Sequence, residues 1–209
     1  MAYDNMISPL VKACKYFTMM EFDILLFCII TILTGEQKNG QLRARLKEDG
    51  ATLADWLKNI SVFIGELYKK YSQIELTPIL KFIVNQLKSG EFYDLIVLKE
   101  IVSKMGGIEN ADNATESQLE ALAGGPVLTQ EGFAGEKSDA MKESSWRLGK
   151  GILDSKCSGL LAVLMGQIRA RIMWTQDNED QNPQDGVWGM GKVGIHVKLL
   201  GNALDMVCF

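Results

Sequence analysis

A single histidine, His196, serves all 209 residues, and only four prolines interrupt the chain. One imidazole cannot build a histidine-rich metal site with cysteines as distant in sequence as Cys14 or Cys28. Any Ser-His-Asp or Cys-His nucleophile would need the same residue, and no G-x-S-x-G elbow accompanies it. So little proline, beside 47% hydrophobic residues, excludes a Pro-rich fibre and a disordered chain. The four cysteines, Cys14, Cys28, Cys157 and Cys208, lie far apart without a Cys-x-x-Cys pair. They are expected as free thiols in a reducing compartment, with no disulfide. Positive charge is not in excess: 22 Lys+Arg against 26 Asp+Glu give a net −4. No broad cationic surface is therefore available to bind nucleic acid by counterion release. The most apolar run, Ile24 to Leu33, is about half the ~20 residues that cross a bilayer. Glu21, Asp23 and Glu36 flank it, so it predicts a buried helix rather than a membrane span. The N-terminus lacks the basic and apolar regions of a secretory signal.

What the sequence does have is helical periodicity throughout. Leu10, Ala13, Cys14 and Phe17 predict a first helix over Pro9 to Met19, with Ser8 as N-cap and Pro9 at the first helical position. A second helix runs from Glu21 to Gly35, joined to the first by a tight connection. The polar stretch Gly35 to Gly50 reads as a surface loop with room for a helical turn. Thr52, with Asp55 three residues on, predicts the cap of a third helix whose buried stripe is Trp56, Ile60, Phe63, Ile64, Leu67 and Tyr71. Thr77-Pro78 opens a fourth, with Leu80, Ile83, Val84 and Leu87 on one face and Gly90 as its stop. A fifth spans Glu91 to Met105, with Leu95, Leu98, Ile101, Val102 and Met105 inward and Gly106-Gly107 ending it. Thr115 with Gln118 marks a short helix over Leu119 to Leu122. Two more helices are expected over Ser138 to Asp154 and Ser158 to Trp174, the latter burying Leu161, Leu164, Met165 and Ile168. Thr175 to Gly186 reads as a solvated loop, and Ile195 to Cys208 as a last helix that stops without a polar cap.

The expected fold is all-α, built from irregular antiparallel helix pairs in the manner of an α-solenoid of the HEAT kind, with a compact helical bundle as the alternative. Five regions follow: a helical-repeat region at 3–128, an irregular loop at 129–137, a helix pair at 138–174, a polar and glycine-rich loop at 175–194, and a terminal, truncated helix at 195–209.

Chemistry-bearing motifs fail on context. Gly186 to Lys192 satisfies G-x-x-x-x-G-K, but Val193 stands where a phosphate loop needs Ser or Thr, and an acidic loop precedes it instead of a strand. Gly189, Gly191 and Gly194 satisfy G-x-G-x-x-G, again without a strand. Neither match predicts a nucleotide site. No catalytic, cofactor-binding or metal-binding residue is assigned, no cofactor is expected, and the chain is not expected to be an enzyme. Three basic clusters could touch phosphate: Arg43, Arg45 and Lys47; Lys69 and Lys70; and Arg147 with Lys150. Acidic neighbours dilute each of them, which favours roles at helix ends and on solvated faces.

Tyr3 to Ile30 (YDNMISPLVKACKYFTMMEFDILLFCII), Leu53 to Tyr71, Leu76 to Glu109 and Thr115 to Leu128 strongly resemble a middle segment of the THO complex subunit 2 family, the largest THO subunit. The likeness continues more loosely through Ser144 to Trp174 and His196 to Asp205. Gly35 to Gly50 and Thr129 to Lys137 depart from the family pattern, and Thr175 to Gly194 stands as an insertion. The family protein is far longer, so the resemblance implies a fragment. It further implies a nuclear α-helical scaffold, without catalysis, that couples transcription to messenger-RNA processing and export. The implied partners are the other THO subunits and the DEAD-box RNA-dependent ATPase of the TREX assembly, with RNA reached through the complex. The matched segment also looks like the helical middle domain of translation initiation factor four G, a module class that grips DEAD-box ATPases. The basic C-terminal tail that goes with RNA contact in the family is not in this sequence. An RNA-binding helical platform is therefore the alternative function, and partner-binding residues are not assigned.

Overall fold

The computed structural model of the chain describes residues 4–35, 43–48, 52–107 and 139–179. These form seven α-helices: α1 (Ile7–Ala13), α2 (Met19–Thr34), α3 (Asp55–Lys70), α4 (Thr77–Lys88), α5 (Leu95–Gly106), α6 (Asp139–Asp154) and α7 (Ser158–Glu179). Short 3-10 turns, Asp4–Met6 and Cys14–Tyr16, bracket α1. The fold is all-α. Among the described residues the only β-pairing is one antiparallel bridge between Leu46 and Leu53. The expected helix over Leu119 to Leu122, the loop at 129–137, the glycine-rich segment with Lys192, and the terminal helix with His196 lie outside the described residues.

Helices α1, α3, α5 and α6 follow one another as neighbours, while α4 sits against α2, α5, α6 and α7. The tightest pairing is α3 on α5. A Cβ on Gly65 would lie 2.8 Å from the Glu100 carbonyl oxygen, so this crossing needs a residue without a side chain. The stripes expected for the middle helices are the buried ones. Leu80, Ile83, Val84 and Leu87 of α4, and Leu95, Leu98, Ile101, Val102 and Met105 of α5, belong to one continuous core with Ile60, Phe63, Ile64 and Leu67 of α3. On α7, Leu161, Met165 and Ile168 join it, with Leu164 packed at its edge.

Helix ends differ from expectation for identifiable reasons. Helix α1 starts at Ile7, ahead of Ser8, because the 3-10 turn before it already sets helical backbone geometry; its N-cap is Met6. Its buried face is Ile7, Val11 and Cys14, and Leu10 stays 39% exposed. Pro9 is tolerated as the third helical residue, since the first four N–H groups have no intrahelical acceptor. Helix α2 starts two residues before Glu21, at Met19. Thr18 and Glu21 form a reciprocal capping box, with the Thr18 N–H donating to Glu21 Oε2 at 2.6 Å and the Glu21 N–H to Thr18 Oγ1 at 3.4 Å. Thr52 does not cap α3. Its carbonyl accepts from the Lys47 N–H at 2.9 Å, so the segment before α3 is held extended and Ala54 becomes the N-cap. Residues 43–48 hold that bridge, and the rest of the expected loop, 36–42 and 49–50, lies outside the described residues. Helix α5 begins at Leu95 rather than Glu91, after turns through Phe92 and Tyr93. Helix α7 runs on to Glu179, five residues beyond Trp174, into the stretch expected as loop.

The largest difference is on α2. The run Ile24 to Leu33 is helical but not buried all round. Phe22, Leu26, Ile29 and Leu33 face the core, while Ile24, Phe27, Cys28 and Ile32 face outward. No helix among the described residues is long and apolar enough to cross a membrane.

Candidate interaction surfaces

The three basic clusters are the residues whose chemistry could bind a ligand, and the fold uses most of them internally. The backbone bends at Arg45 beside the bridge position Leu46, and Arg43, Arg45 and Lys47 go to different partners. Arg45 points inward. Its guanidinium lies 3.1 Å from the Asp94 carboxylate and donates to the Leu33 carbonyl at 3.0 Å, with side-chain exposures of 12% for Arg45 and 1% for Asp94. This ties the end of α2 and the start of α5 to the bridge segment. Asp94 therefore offers no side-chain bond to the amide groups of α5. Burial pushes the Asp94 carboxyl above the usual aspartate range, against the opposing pull of the Arg45 hydrogen bond and charge. Arg43 stacks over the Trp56 ring at 4.5 Å, and the indole N–H of Trp56 donates to the Ala44 carbonyl at 2.9 Å. Lys47 pairs with Asp55 at 2.8 Å on the surface.

The second and third clusters meet at the C-terminus of α3. Arg147, on α6, donates to the carbonyls of Tyr68, Lys69 and Tyr71 at 3.1–3.3 Å, where the helix leaves acceptors without intrahelical donors. Lys70 lies over the Tyr71 ring at 5.4 Å, and Lys150 over the Trp146 ring at 5.2 Å. Close by, the Tyr71 hydroxyl donates to the Val11 carbonyl at 2.6 Å and its ring packs on Phe22, which fixes α1 and α2 to the end of α3. One turn before Arg147 on α6, the Ser144 hydroxyl donates to the Met105 carbonyl at 2.7 Å. Arg45 and Arg147 are thus braces between elements far apart in sequence. Asp94, the partner missed in the sequence, carried one signal: a lone carboxylate leading directly into the apolar run Leu95 to Leu98.

The Tyr68 hydroxyl, its pKa raised by burial, donates to the Glu75 carbonyl at 3.0 Å. Burial also pushes the Cys14 thiol up, against the pull of Lys70. Cys14, Cys28 and Cys157 are free thiols. Among the described residues no group of three His, Cys, Asp or Glu side chains could hold a metal ion. A groove of about 440 Å³, open to solvent, is lined by Arg43, Leu46, Glu48, Glu91 and Tyr93 together with neighbouring bridge residues. Among the described residues, apolar side chains stay exposed at two places. One is the outward face of α2, where Met20 and Phe27 are each 71% exposed; the other is Trp146 and Leu153 on α6 with Val163 on α7. A monomer seldom exposes such patches without a use for them.

Residues 1–61 match a family described as a transcription- and export-related complex subunit, Thoc2. That match covers α1, α2 and the first part of α3. THO complex subunit 2 of Homo sapiens is 36% identical over 203 residues, which is 97% of this chain and 11% of the human protein. The Arabidopsis thaliana protein of the same name is 37% identical over 183 residues, 84% of this chain and 10% of its own length. That of Saccharomyces cerevisiae is 29% identical over 128 residues, 61% of this chain and 8% of its own. The chain thus corresponds to a small part of these relatives. With the family match across its first helices and the similarity to the human protein running through nearly all its residues, the chain belongs to the THO complex subunit 2 family.

Proposed function

We propose that this chain is a non-catalytic helical scaffold segment of a THO/TREX-type assembly in the nucleus. It would couple transcription to messenger-RNA processing and export through protein–protein contacts with other THO subunits and with a DEAD-box RNA-dependent ATPase. The observation that carries this reading is the similarity to THO complex subunit 2 over 97% of the chain. The architecture supports it: Arg45 with Asp94, Tyr68 and Ser144 are spent on bracing helices, and among the described residues exposed apolar helix positions of the kind that other polypeptides cover remain.

The rival reading, an RNA-binding platform, draws less support. Arg43, Arg45, Lys47, Lys70, Arg147 and Lys150 each have a partner within the protein. The test is affinity purification of the tagged chain from nuclear extract, with and without nuclease. The scaffold reading expects THO subunits and the ATPase to co-purify in both. Loss of all partners after nuclease, with salt-dependent RNA binding by the purified chain, would favour the RNA platform instead.

A further inference from the structure

Helix α1 and the end of α3 carry positive charge without acidic partners. From Asn5 to Met20 and from Leu67 to Ile74 the chain holds Lys12, Lys15, Lys69 and Lys70 and no aspartate or glutamate. All four lysines are exposed. The two segments meet in space: the Tyr71 hydroxyl bonds to the Val11 carbonyl at 2.6 Å, and while burial raises the Cys14 thiol, the Lys70 charge acts against it. The acids just beyond their ends are Asp4, Glu21, Glu66 and Glu75. Of these, Glu21 is spent in the Thr18 capping box and Glu66 is paired with Lys104 at 3.0 Å. Among the described residues none of the four lysines is paired with a carboxylate. On α6, Lys150 beside Trp146 extends the patch, and Glu143 and Asp154, one turn from Arg147 and Lys150, bound it. Rings hold two of the ammonium groups in place: Lys15 lies 5.9 Å from the Tyr16 ring centre and Lys70 5.4 Å from that of Tyr71. Such a contact orients a cation without neutralising it.

We propose that Lys12, Lys15, Lys69 and Lys70, at the junction of α1 and α3, bind an acidic polypeptide segment, an Asp- and Glu-rich stretch of a partner protein. The assignment deepens the scaffold reading and rests on it for the partner being a polypeptide of the assembly. The chain as a whole carries a net −4, so it repels an acidic ligand at long range, and only a local surplus of positive charge holds one. Two observations favour carboxylates over a nucleic-acid strand. Bases need open rings on which to stack, and here the Tyr16, Tyr71 and Trp146 rings each already carry a lysine of the protein itself. The guanidinium at the same helix end, Arg147, which would fork onto a phosphate, is spent on the carbonyls of Tyr68, Lys69 and Tyr71. What remains is a set of lysine point charges, which a run of carboxylates matches.

The test is fluorescence anisotropy of the purified chain with a labelled peptide of alternating Asp and Glu, and with a single-stranded RNA of equal charge, at low and at physiological salt. Lys15→Gln with Lys70→Gln is compared with Lys81→Gln with Lys88→Gln, which removes the same charge from exposed positions on α4. Lys12→Gln with Lys69→Gln serves as a second patch variant. All are surface changes, so each protein should keep the wild-type circular-dichroism spectrum. The expected result is peptide binding that weakens with salt, with a dissociation constant raised about five- to tenfold by either patch variant and less than about twofold by the α4 variant. No peptide binding at low salt would overturn the inference, as would equal weakening by the α4 variant. RNA held more tightly than the peptide would also overturn it and give the surface to nucleic acid. Nuclease-resistant capture of THO subunits tests the scaffold reading by itself: capture without peptide binding sinks only this inference, and peptide binding without capture sinks only the scaffold reading.

Discussion

Replacing Arg45 by Ala should be among the most destabilising single changes in this protein. The substitution removes the positive partner of Asp94, whose side chain is 1% exposed, and the donor to the Leu33 carbonyl. Breaking a buried pair from one side leaves a charge that neither water nor protein compensates, at a cost of about 3–5 kcal/mol. For a chain of this size that lowers Tm by on the order of 10 °C. The pH dependence separates this account from a simple loss of packing. The Asp94 carboxyl is already raised by burial in the wild type, so its contribution to stability is fully present below its unfolded pKa and is lost as pH rises through the folded one. Without Arg45 the folded pKa rises further. The stability gap between Arg45→Ala and wild type should therefore be wide at neutral pH and narrow as the pH falls through the raised folded pKa values and Asp94 takes up a proton. Urea unfolding followed by circular dichroism across that range reads the gap directly. The double change Arg45→Met with Asp94→Leu should recover most of the loss, since no buried charge remains. A cost below about 1 kcal/mol that is flat with pH would refute the reasoning, because it is the behaviour of an exposed ion pair.

Three further outcomes follow from the packing. Gly65→Ala would place a methyl 2.8 Å from the Glu100 carbonyl oxygen, so α3 and α5 must separate; thermal unfolding should show a loss of about 1–3 kcal/mol. Arg147→Ala removes the donor to three carbonyls at the end of α3 and should cost about 1–3 kcal/mol, with Arg147→Lys recovering only part because an ammonium lacks the planar fork; chemical denaturation of the three proteins ranks them. Tyr71→Phe deletes only the bond to the Val11 carbonyl, worth about 1 kcal/mol, and should raise amide hydrogen exchange in α1 well before it changes exchange in α5.

Much of the fold was legible because it is written in local periodicity. The stripe Leu95, Leu98, Ile101, Val102 and Met105 could belong only to a helix with one buried side, and all five are buried. Gly35 and Gly107, expected as stops, end α2 and α5 with φ of 79° and 64°, where a side chain would be strained. What the sequence hid depends on contacts between distant segments. The alternation of Arg43, Arg45 and Lys47 was visible, but their partners lie on three different elements, so Arg45 could not be told from a solvated cation. Thr52 has the composition of a cap and loses that role to a bridge with residues 45–47. The outward half of α2 was misread because an apolar run gives no directional signal: with Ile, Leu and Phe on every side, composition alone predicts burial all round.

The brace from Arg147 to the end of α3 reaches back 76 to 79 positions along the chain. A ribosome adding about 5–20 residues per second needs several seconds to make that stretch. During those seconds the carbonyls of Tyr68, Lys69 and Tyr71 must be satisfied by water, and the seat that α6 will occupy on α5 stays open. A chaperone that shields this seat during synthesis would work on the same surface that α6 later closes.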